Sequence, residues 1–270
     1  MPQASRATLK HNPRLRRLWR AAQAGLAASF LLIVAVPAFA QDVDAHDQRA
    51  AQQVPDQKLI AGLERLAEAN NGEAIYYLGM AYHLGLDVPK DKAKALGLFR
   101  RSAELGDPLG AYKLGCYYDG QGDGVVAEDP DLALKYTLVA AEAGYALAEH
   151  DVALLYAGRK DFTLARAWLK KAAVQGWPVS LRAYASIHNG AAGVARDRAV
   201  AAAYFRLYAA TSEAGEAHKI ALAEFEDTLS AADKAREAEI LAAYHPESTP
   251  LTLRGLAGQR AAQALVEGGR

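Results

Sequence analysis

Few residues in this chain have the type and spacing that chemistry needs. His150 and Asp151 are adjacent and offer a base and a carboxylate. Neighbouring residues on a helix point about 100° apart, so the pair does not converge on one substrate. Asp119-Gly-Gln-Gly-Asp-Gly124 has the look of a calcium loop, but Gln121 holds its third position and Pro130 its twelfth, where a bidentate glutamate belongs. It reads instead as a flexible insertion between helices. No zinc-protease, redox, nucleophile-elbow or phosphate-loop motif occurs, and no serine opens an S-x-x-K. No catalytic, cofactor or metal residue is therefore expected. Cys116 is the only cysteine, which excludes an intramolecular disulfide and leaves packing as the source of stability.

Charge narrows the classes further. Six of the 31 Lys/Arg precede residue 41, leaving 25 against 31 Asp/Glu in the remainder. A net negative body argues against nucleic acid. The basic start runs into the apolar stretch Ala24–Ala40, which closes on Ala38-Phe39-Ala40, the pattern of a secretory signal peptide. Cleavage near Ala40 would give a periplasmic or secreted protein, with residues 41–56 as a flexible linker. An uncleaved membrane anchor is the alternative, and only then would the membrane be a partner.

Most of the body is repetitive. From Ala74 the chain reads A-x-x-x-L-G-x-x-Y-x-x-G through Leu78, Gly79, Tyr82 and Gly85, then Val88, Asp91, Ala95, Phe99, Ala103 and Gly106. The pattern returns through Leu114, Tyr118, Asp129, Ala133 and Gly144, then through Val152, Tyr156, Asp161, Ala165 and Gly176. A fourth copy runs through Tyr184, His188, Asp197, Ala201 and Phe205 to Gly215. Asp91, Asp129, Asp161 and Asp197 lie 38, 32 and 36 residues apart, a spacing of stacked helical hairpins. Each Asp stands where an N-cap belongs, and Gly106, Gly144 and Gly176 where a second helix stops. Gly85 and its counterparts suit the left-handed end of each first helix. The small residue after the Leu78 position lets the second helix approach closely. His188 fills the repeated aromatic slot and is expected in the core.

These residues resemble the Sel-1-like repeats, relatives of the tetratricopeptide repeats, over residues 72–215. The resemblance implies an all-α, right-handed superhelical solenoid and a role in protein–protein contact. Repeats are expected at 72–107, 108–145, 146–177 and 178–215, within a solenoid spanning 57–244. The fourth copy's second helix is expected to run about three residues longer than the others. Leu59–Asn70 and Ala217–Leu229 read as flanking helices, and Ser230 opens a capping box before a helix to about Tyr244. Residues 245–270 read as a linker and a weak last helix.

A partner surface follows from helical geometry. If Leu78 and its equivalents face inward, the positions two before, two after and five after point the other way. These are Tyr76, Met80 and His83; Tyr112, Cys116 and Asp119; His150, Leu154 and Ala157; Arg182, Ser186 and Asn189. Lined up along a concave groove they suit a protein or peptide partner. The competing reading is that individual members pack against neighbouring repeats, and for Cys116 that of a small packed side chain. A scaffold is the leading reading of function. An envelope enzyme acting on cell wall or β-lactams, or a membrane-tethered assembly factor, are the alternatives.

Overall fold

The computed structural model describes residues 56–191 and 193–269. The expected signal segment, and the expected linker up to residue 55, lie outside them. Asp56 is no linker residue: its side chain accepts from the Leu59 N–H and opens the first helix. Thirteen α-helices and no strand occur among the described residues. They are α1 (Gln57–Glu68), α2 (Gly72–Leu84), α3 (Lys92–Glu104), α4 (Pro108–Cys116), α5 (Pro130–Glu142), α6 (Ala146–Gly158) and α7 (Phe162–Val174). There follow α8 (Pro178–His188), α9 (Arg198–Ala209), α10 (Glu216–Asp227), α11 (Ala231–Ala242), α12 (Pro250–Ala257) and α13 (Gln259–Gly268). The chain forms two compact units, one running to Ala133 and the other beginning at Leu134. In the first, α1, α2, α3 and α4 pack in sequence; in the second, α6, α7, α8 and α9 do the same, and α9 also packs on α10 and α11.

Each repeat is closed at two fixed points. The four Asp side chains accept from the N–H three residues on, at 2.9 Å for Asp91, 3.0 Å for Asp129, 3.0 Å for Asp161 and 3.1 Å for Asp197. Each satisfies a donor that the helix leaves orphaned. Their own N–H groups donate to the carbonyls of Tyr82, Tyr118, Tyr156 and His188, the repeated aromatic slot. Loop length varies only between those two ends. The longest loop takes up its slack in a π-turn at Tyr117–Gln121, with Gly120 left-handed at φ +93°.

Second helices stop on Gly106, Gly144 and Gly176, at φ +86°, +86° and +82°. The next N–H then reaches the carbonyl five residues back, as in Asp107 to Ser102 at 3.0 Å. The fourth repeat departs from this. Ser212 stands where that glycine would fall, and Gly215 is extended, at the N-cap of α10. Accordingly α9 is 12 residues long, not longer than the 13 of α3, α5 and α7. Gly122 and Gly158 also differ from Gly85: Gly122 sits at φ −84° and Gly158 is still helical, while Gly85 is left-handed at φ +78°.

First and second helices bury differently. Leu78, Leu114, Val152 and Tyr184 are all buried, as their equivalence requires. But α2 buries Ala74, Ile75, Tyr76, Tyr77, Leu78, Gly79 and Ala81, residues on every side, whereas α3 buries only the stripe Ala95, Leu96, Phe99 and Ser102. A helix with neighbours all round is apolar all round. Close approach sets two positions in α2 and α4. A Cβ on Gly79 would lie 2.7 Å from the Phe99 ring, and one on Gly110 2.2 Å from Ser102 Oγ. Ser102 is itself buried and donates to the Gly72 carbonyl at 2.7 Å.

The C-terminal residues form no loose linker. Two helices lie there, and residues 244–252 are fastened to the repeats. Tyr244 Oη donates to the Ala173 carbonyl at 2.9 Å, and Thr249 Oγ1 to the Gly144 carbonyl at 2.7 Å. Thr252 Oγ1 accepts from the Ala146 N–H at 3.0 Å and lies 2.7 Å from Gln175 Oε1. Gln175 Nε2 donates to the Gly144 carbonyl at 2.9 Å and to Glu149 Oε2 at 2.8 Å. Burial pushes the Glu149 carboxyl up to about 7, against smaller opposing effects of the Gln175 hydrogen bond and Lys171. Tertiary hydrogen bonds across about a hundred residues hold a Ser/Thr/Pro-rich stretch that by composition reads as a linker.

Two measurements check this packing. Gly110→Ala should lower stability by about 1–3 kcal/mol through overpacking against Ser102, while Gly97→Ala, with open space around it, should raise it by about 0.5–1 kcal/mol; denaturant melts decide. For Glu149 the folded chain holds a proton between its ordinary 4.5 and about 7 that the unfolded chain has released. Its cost is therefore absent below pH 4.5 and complete above pH 7. Glu149→Gln should gain up to about 3 kcal/mol on the native chain between pH 5 and pH 8. An offset equal at both pH values would refute the assignment.

Candidate functional site

The first helices carry the twelve positions expected to line a groove, and burial sorts them. Tyr76 and Tyr112 are buried, at 8% and 6% exposure, so neither offers a ring to a partner. Cys116 is buried too, with the character of a small packed side chain. An outward direction opposite Leu78 requires a helix with one apolar face, and α2 and α4 bury residues around their circumference. Met80 and Asp119 are half-buried.

His83, also half-buried, turns toward the interior. Its Nδ1 lies 2.9 Å from Tyr117 Oη, in a hydrogen bond, and its ring is 5.5 Å from that of Tyr117 and 6.2 Å from Phe99. Phe99 meets Tyr117 edge-on at 5.5 Å, and both are buried. Burial first, then Lys113, Lys92 and Lys90, hold His83 down at about 2, so its ring is neutral at any working pH. Burial likewise pushes the Tyr117 phenol up. This is an aromatic core element with a satisfied polar edge, in the first compact unit.

In the second unit none of the six expected positions is fully buried, and Leu154 and Ser186 are exposed. His150 on α6 and Ser180 on α8 share a 2.8 Å hydrogen bond that sets the two first helices side by side. Leu154 is 40% exposed, Ser186 is exposed, and Ala157, Arg182 and Asn189 are half-buried. The Arg182 guanidinium lies 5.4 Å from the centroid of Tyr208, whose ring meets His218 edge-on at 5.2 Å. Ser186 Oγ donates back to the Arg182 carbonyl at 3.0 Å, and Asn189 Oδ1 accepts from Arg196 at 3.1 Å. The face has one exposed apolar side chain, Leu154, with hydrogen-bonding groups and a cation on the same two helices.

Polar chemistry elsewhere is structural. Asp151 is buried on α6 beside, and not facing with, His150. His188 is buried edge-on to Tyr184 at 4.6 Å, and burial first, then Arg166, lower its basicity. Arg206 pairs with Glu226 at 2.7 Å and Glu237 at 2.8 Å, linking α9 to α10 and α11. Among the described residues no group of three His, Cys, Asp or Glu is placed to hold a metal ion. No helix of the described residues is long and apolar enough to cross a membrane.

Sequence reasoning missed Gln175, Thr249 and Thr252. A local signal existed for the last two: Thr249-Pro250-x-Thr252 has an N-cap hydroxyl followed by proline at the first helical position, and Thr249 does cap α12 through the Thr252 N–H. Nothing local marks Gln175.

The sequence model of the Sel1 repeat matches residues 72–107, 108–145, 146–177 and 178–210. Its last boundary agrees with the end of α9 rather than with Gly215. A Sel1 repeat protein from Oxalobacter formigenes is 18% identical, with 83% of this chain and 94% of that one covered and a TM-score of 0.51, a likeness of fold. A protective antigen of uropathogenic Escherichia coli displaying an SLR fold is 22% identical over 76% of this chain, at a TM-score of 0.43. The chain spans half the length of that protein. An immunity protein from Pseudomonas aeruginosa is 18% identical, over 76% of this chain and 85% of that one, with a TM-score of 0.43. No curated protein matches the chain. Four consecutive repeat matches lie on an α-solenoid of helical hairpins closed by the same cap and the same aromatic slot, and the chain belongs to the Sel1 repeat family.

Proposed function

We propose that this protein is an exported interaction scaffold that captures a protein or peptide partner on the face of α6 and α8. Sel1 repeat proteins generally serve protein–protein contact, and fold alone does not choose the surface. The observation that carries the choice is Leu154. It stands 40% exposed on a first helix whose Ala146, Ala148, Val152 and Ala153 are buried, beside His150, which bonds to Ser180 on α8, the helix that carries Arg182 and Ser186 and is capped by Asn189. An apolar anchor within a polar rim is the usual anatomy of a binding patch, and Arg is enriched at its centre.

Export rests on the basic residues up to Arg20, the apolar run to Val36 and the Ala38-Phe39-Ala40 ending. A periplasmic or secreted location and cleavage after Ala40 belong to this reading. A membrane-tethered assembly factor differs from it in keeping those residues. An envelope hydrolase would need a nucleophile, a base and oxyanion donors in one cleft, and no observation favours it.

Leu154→Asp combined with Arg182→Glu should abolish recovery of the partner that the native chain retains from cross-linked envelope extract, with the melting temperature within about 2 °C of native, as surface changes permit. Equal loss of capture and of thermal stability would overturn the face. Intact mass of the mature protein tests export: loss of the first 40 residues is expected, and a full-length mass in the membrane fraction would overturn cleavage.

A further inference from the structure

The turns that follow α5 and α7 present the groups that peptides bind through. Helix C-termini leave carbonyls with acceptor capacity to spare; here those of Gly144 and Gln175, and that of Ala173, which also takes the Gly176 N–H, are reached from one segment together with the Ala146 N–H. Gln175 completes the set with a side chain whose orientation is fixed. Its Nε2 is spent on the Gly144 carbonyl and on Glu149 Oε2, so its Oε1 must face outward as an acceptor. All these groups lie in the second compact unit.

The chain's own C-terminal residues cover this surface, through hydroxyls. Tyr244 Oη reaches the Ala173 carbonyl, Ser248 Oγ the Gln175 carbonyl at 3.3 Å, and Thr249 Oγ1 the Gly144 carbonyl. The Thr249 N–H donates to Gln175 Oε1 at 3.1 Å, and Thr252 sits at the centre, 1% exposed. Hydrophobic burial does not drive the docking of α12. That helix turns Thr252 inward while Leu253 and Leu256 remain 56% and 58% exposed. Gly255 rests on the Tyr145 ring, where a Cβ would come within 2.6 Å. With two of its three leucines in water and Leu251 half-buried, the helix is held largely by its hydrogen bonds, each of modest net worth against solvent. Such a contact is exchangeable.

We infer that the turns Gly144–Ala146 and Ala173–Gly176 form a docking site for a peptide with a Ser-Thr-Pro-x-Thr hydroxyl pattern whose Thr-Pro opens a helix, which residues 244–257 occupy in cis until a partner peptide displaces them. The site is separate from the α6–α8 face and stands or falls without it. Glu149 acts as a positioning residue, holding the Gln175 amide in the one orientation that accepts from the peptide. The surface is specific because every incoming group meets a fixed donor or acceptor, and an apolar side chain at either Thr position would leave buried polar groups unpaired. Cis occupancy lowers apparent affinity by the fraction of chains whose site is open.

The probe is a fluorescein-labelled peptide of residues 243–258, titrated by anisotropy into full-length chain. Thr249→Val with Thr252→Val frees the surface without altering it. That variant should bind the peptide at least about tenfold more tightly than the native chain, from the loss of at least one or two net hydrogen bonds in cis. Adding Gln175→Ala should remove that binding, and a peptide with both threonines changed to valine should not bind. Equal affinity of variant and native chains, or indifference to Gln175→Ala, would overturn the proposal and leave the tail a structural cap. Hydrogen exchange on the native chain covers the case in which the variant unfolds. Excess peptide should speed exchange of the amides of residues 249–254, and unchanged exchange overturns the proposal. A native dimer that the double-valine variant loses would assign the surface to a second copy and overturn the partner peptide.

Discussion

One hydrogen bond recurs in every hairpin, from the N–H of the capping Asp to the carbonyl of the aromatic-slot residue. It joins the end of the first helix to the start of the second, at 2.8 Å in Tyr82–Asp91 and His188–Asp197 and 3.0 Å in the shortest loop, Tyr156–Asp161. The Asp carboxylate then accepts from inside the second helix. A chain without a disulfide, made of helices mostly 12 or 13 residues long, has many orphaned helix-end groups to satisfy and little length to stabilise each helix alone. This closure lets the loop between those points change length freely, so the insertion at Asp119–Gly124 and the contraction at Gly158–Lys160 leave the repeat intact.

Stacking imposes the second constraint. First helices must be flanked on several sides, and their sequences obey: α2 and α4 bury aromatic, aliphatic and glycine positions around their circumference. Second helices keep a solvent face. Exposure on the first helices is left to the few positions that neighbours do not cover. In the second unit these include Leu154 and Ser186; in the first, His83 is drawn into the Phe99–Tyr117 cluster.

The C-terminal helices add a contact of another kind. Solenoids need polar terminal caps, since the last repeat has no successor to cover it. Here α9 packs against α10 and α11, and the chain then returns to fasten Thr249 and Thr252 onto the turn Gly144–Ala146, more than a hundred residues earlier. The exposed Leu253 and Leu256 set this return apart from burial-driven capping.

The sequence alone was enough for most of what acts within one or two helical turns, though not for Gly122 and Gly158, which are not left-handed, or for the Thr249 cap. The Asp caps, the left-handed Gly106, Gly144 and Gly176, the Ser230–Asp233 capping box and the inward Leu78, Leu114, Val152 and Tyr184 were all legible, because caps, φ preferences and period depend on near neighbours in the chain. The stop of α9 was misplaced where the glycine was missing. Only the tertiary structure decided which side of a first helix is free, how far His83 turns inward and where residues 244–257 go. Those outcomes rest on pairs such as His83–Tyr117 and Gly144–Thr252, 34 and 108 residues apart. At such separations no periodicity within one helix reports what stands opposite.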